Sequence, residues 1–104
     1  MGEDSGGGGE CMKKKITQLI LDLKKKRKQI DQVDQKLLIL LNQRTRLVSE
    51  AIAVKREMGE KIRNLKREKE ILEKLKSKNK GPLKEVELKK VFRAILGMCR
   101  KSLE

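Results

Sequence analysis

At 104 residues, with 28 Lys or Arg against 15 Asp or Glu, the chain carries a formal charge of +13 and has no histidine to modify it. One domain of this length, 41% charged and with Phe92 as its single aromatic, must build its core from Leu, Ile and Val and buries little within one copy, which points to partner chains. Two cysteines, Cys11 and Cys99, and no His exclude an ordinary zinc site, a Ser-His-Asp triad and a disulfide framework.

Residues 1–11 hold the glycine run Gly6 to Gly9 and offer no apolar anchor, so a disordered tail is expected there, ahead of a helical domain over 12–104. The acidic start does not resemble a signal peptide, and Gly6 does not suit a myristoylation signal. With no apolar run of spanning length and two distant thiols that suit a reducing compartment, a cytoplasmic protein away from membranes is expected.

From Met12 the composition turns to Lys, Leu, Ile, Glu and Gln, and neither Gly nor Pro occurs before Gly59. This predicts one very long helix from about Met12 to Arg56. A break at Met58-Gly59-Glu60 precedes a second helix over 63–78, which Asn79-Lys80-Gly81-Pro82 ends, and a third helix follows over 84–102. No run alternates apolar and polar residues at period two, so the expected class is all-α with three helices. The first helix would be about 65 Å long at 1.5 Å per residue, too long for a small globule. An interlocked homodimer, with long helices paired and short ones wrapped around them, is the economical solution.

Along the first helix Ile30, Val33, Leu37, Leu41, Val48, Ala51 and Ile52 form an apolar stripe, and three cations stand in register with it. Arg27 and Lys55 share the seven-residue phase of Leu41 and Val48, whereas Arg44 shares that of Ile30, Leu37 and Ala51. An inward cation needs an anion, because leaving it buried and unpaired costs several kcal/mol. Internal pairing with Asp34, Glu50 or Glu68, or snorkelling past the stripe, accounts for any one of the three. Three in phase point to an anionic ligand. Arg44 and Lys55 lie about 16 Å apart along the axis, and their long side chains could close on a small dianion between them. Arg27 is too distant from Arg44 for the same ligand and could serve only a site in the other half of a dimer. In the second helix Asn64, Arg67 and Glu68 share one surface, with ordinary solvated residues an equal reading. The third helix presents Leu88, Phe92, Ile95, Cys99 and Leu103 inward, Cys99 most simply as a small core residue.

The run Arg27-x-x-Ile30-Asp31-x-x-Asp34-x-x-Leu37-Leu38-x-Leu40-Leu41-x-x-Arg44, followed by Lys55 and by Ile62-x-Asn64-x-x-Arg67-Glu68, resembles the all-helical class of chorismate mutases. Gly81-Pro82-Leu83 and Val91-Phe92-x-x-Ile95 extend the likeness, which covers about Lys24 to Glu104. The resemblance implies an interlocked three-helix homodimer that isomerises chorismate to prephenate, without a cofactor, in aromatic amino acid biosynthesis. It further implies that Arg44 and Arg67, with Arg27 supplied by the partner chain, hold the substrate's two carboxylates. Lys55 would donate to the ether oxygen and Glu68 would meet the ring hydroxyl. Asn64 stands where the family commonly has Asp, and Cys99 where it has Ser. At the position of a second donor to the ether oxygen, Gln or Glu in the family, straight counting puts Leu103, with Glu104 one residue beyond.

Three rival readings follow from the same residues. The net charge and Lys24-Lys25-Lys26-Arg27-Lys28 suit a nucleic-acid binder, but the aromatics expected for base stacking are missing and the basic residues are spread over all three helices. A structural coiled coil would break phase at Gly59. A weakened family member serving as a binding or regulatory module is the reading that Leu103 keeps open.

Overall fold

A computed structural model describes residues 2–61 and 63–101, with side chains over 15–61 and 63–100. Three helices follow one another, α1 (Gly2–Met58), α2 (Leu65–Lys78) and α3 (Glu85–Lys101), and no strand occurs among the described residues. The class is all-α, as the periodicity predicts. The tail expected over 1–11 falls outside the residues with described side chains.

The chain divides into two compact units, Met1–Ile39 and Leu40–Glu104. In the first, apolar positions of α1 are exposed among the described residues: Ile30 is 57% exposed, Val33 61% and Leu37 49%. The stripe read from the sequence is therefore a face, but one that a single copy leaves open.

The second unit holds the remainder of α1 together with α2 and α3. Its buried side chains are Ile52 from α1 and Leu88 and Cys99 from α3. Thr45 Oγ1 donates to Leu41 O at 2.9 Å and lies 3.4 Å from Cys99 Sγ, tying α1 to α3 beside this core.

Local chemistry explains where each element of this unit stops. At the end of α1 Gly59 takes φ +73, where a side chain would be strained. Its N–H donates to Arg56 O at 3.2 Å and that of Glu60 donates to Lys55 O at 2.9 Å, the bond pair of a Schellman stop. The second helix starts at Leu65, two residues later than the apolar periodicity predicts, because Asn64 caps it: Asn64 Oδ1 accepts from Arg67 N at 3.0 Å. Asn79 closes α2 and shapes the following turn, donating through Nδ2 to Leu83 O at 2.7 Å and accepting from Gly81 N at 3.2 Å. The Lys84 N–H then donates to Glu87 Oε2 at 3.3 Å, one half of a capping box at the start of α3.

Candidate active site

A cleft of about 440 Å³ opens within the second unit, between the C-terminal part of α1, the start of α2 and the end of α3. This is a volume suited to a small organic ligand. One wall is apolar, from Leu47, Val48, Ala51 and Ile52 on α1, Ile71 on α2 and Leu96 on α3. The rest is mainly cationic: among the described residues Arg44, Lys55, Arg63, Arg67 and Arg100 line it against a single carboxylate, Glu68.

Each helix contributes by the local rules above. The Schellman stop ends α1 at Met58, three residues after Lys55, whose carbonyl takes part in it while its side chain, half-buried, lines the cleft. About three turns earlier on the same helix, Arg44 is also half-buried, and its Nη1 is buried with no hydrogen-bond partner among the described residues. The Asn64 cap fixes the first turn of α2, which holds Arg67 and Glu68. Arg100 Nη1 donates to Glu68 Oε1, and Arg63 Nε approaches Glu68 Oε2 at 3.8 Å.

Of the residues singled out in the sequence, Arg44, Lys55, Asn64, Arg67, Glu68 and Cys99 all line this cleft. Cys99 does so from the core, at 1% exposure, so the small-core-residue reading and the lining position hold together. Arg27 lies in the first unit, exposed on α1. Leu103 and Glu104 lie outside the described residues. Sequence reasoning missed Arg63, Arg100 and Thr45. Arg100 follows Cys99 directly and stands four residues after Leu96, at the edge of the inward stripe, but its seven-residue phase is that of Arg93, so the in-phase test that marks Arg44 on α1 passes over it.

A family model for chorismate mutase type II matches residues 26–103. The chain belongs to this family. The matched stretch contains every site position named above, from Arg27 to Leu103. Among solved structures, the form II structure of a chorismate mutase from Thermus thermophilus is 35% identical, with a TM-score of 0.71 over 72% of this chain and 85% of that one. The form I structure is 36% identical, with a TM-score of 0.69 over 70% of this chain and 91% of that one. No curated protein matches the chain. As a chorismate mutase this chain is an isomerase, and no helix among its described residues is long and apolar enough to cross a membrane.

Proposed function

We propose that the cleft bounded by Arg44, Lys55 and Glu68 binds chorismate and carries out its rearrangement to prephenate. The observation that carries this reading is the buried, unpartnered Nη1 of Arg44. A donor withheld from water and from the protein is stabilised only when a ligand supplies the acceptor. Chorismate is a dicarboxylate with an apolar ring, matched to a cleft with five cations, one carboxylate and an aliphatic wall.

The reaction is an intramolecular Claisen rearrangement. One C–O bond breaks as one C–C bond forms, and no proton moves. Side chains that hold a flexible substrate in its reactive chair and place positive charge where the ether oxygen becomes negative are sufficient. We assign Arg44 and Arg67 to the two carboxylates, since planar guanidinium forks suit carboxylates, and Lys55 to the ether oxygen as a point charge. Glu68 accepts from the ring hydroxyl. Asn64 supports the same region through the first turn of α2, and Cys99 backs the substrate from the core. Leu103, if it holds the second donor position, leaves the ether oxygen to Lys55 and makes turnover slow.

The working unit in this proposal is an interlocked homodimer in which Arg27 of one copy completes the site of the other. Its support is the half-exposed face of Ile30, Val33 and Leu37, an apolar surface that a second copy would cover. The cytoplasm, where the distant thiols stay reduced, is the compartment we propose. The decisive experiment follows chorismate disappearance with purified protein alone while light scattering reports mass. Turnover by a particle of twice the chain mass is expected, and absence of turnover would refute the assignment.

A further inference from the structure

Glu68 is the single carboxylate in the cleft among the described residues, and two arginines engage it. Arg100 reaches it from α3, 32 residues away in sequence, and both side chains are only 22% exposed. Arg63 is 57% exposed, and its 3.8 Å approach is longer than a hydrogen bond. Arg100 is thus the group that fixes the carboxylate. Its guanidinium lies back over its own helix, with Nη2 at 4.0 Å from where a Cβ on Gly97 would stand.

We propose that Arg100 is a positioning residue of this active site, holding Oε1 of Glu68 so that the carboxylate stays aimed at the substrate's hydroxyl. This rests on the reading of the cleft as the chorismate site. A glutamate has three rotatable side-chain bonds, and without an anchor it spreads over several rotamers, few of which present an oxygen to the ligand. A carboxylate offers about four lone-pair sites, so one spent on Arg100 still leaves acceptors for a hydroxyl. Because both oxygens sit near cations, the carboxylate also stands beside a dianion with its own charge offset. The far side of the cluster faces a second cleft of about 540 Å³ between α2 and α3, lined by Arg63, Glu68 and Arg100. Solvent and small cations can reach the Arg100 position through it.

The test is a double-mutant cycle on kcat/KM for chorismate, using Arg100→Ala, Glu68→Ala and the pair, each checked for helical circular dichroism and mass. Arg100→Ala is expected to lower kcat/KM about tenfold, and in the Glu68→Ala background to lower it no further, a coupling of about 1.4 kcal/mol. Guanidinium ion added to Arg100→Ala is expected to restore turnover, and to do nothing for the double variant. Should Arg100→Ala fail to fold, Arg100→Lys replaces it in the same cycle. Losses that multiply would mean that Arg100 acts independently of Glu68, and full activity in Arg100→Ala would mean that it does not act at all. Either overturns the inference while leaving the function intact. A wild-type protein that does not consume chorismate overturns both.

Discussion

Arg44→Met separates binding from stability by sign. The buried Nη1 has no partner among the described residues, and an unsatisfied buried donor costs about 1–3 kcal/mol. Methionine has a similar length, keeps the aliphatic contact of the arginine stem and brings no donor. The free energy of unfolding is therefore expected to rise by about 1–3 kcal/mol. For a domain of this size each kcal/mol moves the melting temperature by about 4–8 °C. Catalysis should move the opposite way. Truncating one partner of a buried, hydrogen-bonded charge pair costs about 2–5 kcal/mol, which corresponds to about thirty- to several-thousandfold in kcat/KM. The assay is paired: chorismate consumption on one aliquot and thermal unfolding on another, at one protein concentration because the melting temperature of the proposed dimer would depend on it. A variant that keeps turnover within about threefold of wild type, a change of under 1 kcal/mol, would refute the role of Arg44. A variant that melts well below wild type would refute the argument that the free protein bears a desolvation penalty there.

Further expectations follow from individual contacts. Lys55→Ala is expected to lower kcat by about a hundred- to a thousandfold with the dimer mass unchanged, as for loss of one donor to a developing oxyanion; kcat near wild type would remove Lys55 from the ether oxygen. Gly59→Ala meets no neighbour within 4 Å but must hold φ +73, so about 1–2 kcal/mol of stability is lost, measured by urea unfolding, with turnover little changed. Glu85 lies 3.1 Å from both Lys76 and Lys89, and hydrogen bonding to Lys76 and then to Lys89 holds its carboxyl below the usual 4.5. The bond to Glu85 in turn raises Lys76 above 10.5. The tie thus contributes above the unfolded carboxyl's pKa, fades as pH falls through the depressed folded value, and fades again as pH rises through the elevated lysine value. Wild-type and Glu85→Gln melting curves should differ slightly at neutral pH and converge in acid; a gap that persists in acid would contradict this. Leu103→Gln is expected to raise turnover by supplying a second donor to the ether oxygen, and no increase would rule out that position as a donor site.

The sequence announces those features that depend on neighbours along the chain. Gly59 stops α1 because a Schellman bond pair needs a residue at positive φ, and Asn79 with Gly81-Pro82 ends α2 through hydrogen bonds spanning two to four residues. The phase of Arg44 and Lys55 on α1 is likewise local, and both line the cleft. What stays hidden is tertiary. The Arg100 bond to Glu68 spans 32 residues and the Thr45 contact with Cys99 spans 54, and nothing in either local pattern names the other partner. The start of α2 slips by two residues for a different reason: periodicity reports which side chains are apolar, whereas the boundary is set by the Asn64 carboxamide claiming the Arg67 N–H.

The distribution of carboxylates explains how a chain with charge +13 keeps a usable anion site. Glu68 engages Arg63 and Arg100, and Glu85 engages Lys76 and Lys89, so these cations are offset before any ligand arrives. Arg44 Nη1 is buried and finds no acceptor among the described residues. A carboxylate placed beside it would stabilise the free protein, but it would also compete with the substrate at the millimolar effective concentration typical of a tethered group. A substrate present at micromolar levels would lose that competition by about a thousandfold unless its own contacts made up the difference. Leaving the donor unsatisfied transfers that stabilisation from the empty protein to the complex. The same logic accounts for Glu68, the one carboxylate among the described lining residues, being held by Arg100 from α3: in the proposed site it serves as acceptor for a hydroxyl, whereas one loose enough to swing toward Arg44 would compete with the ligand.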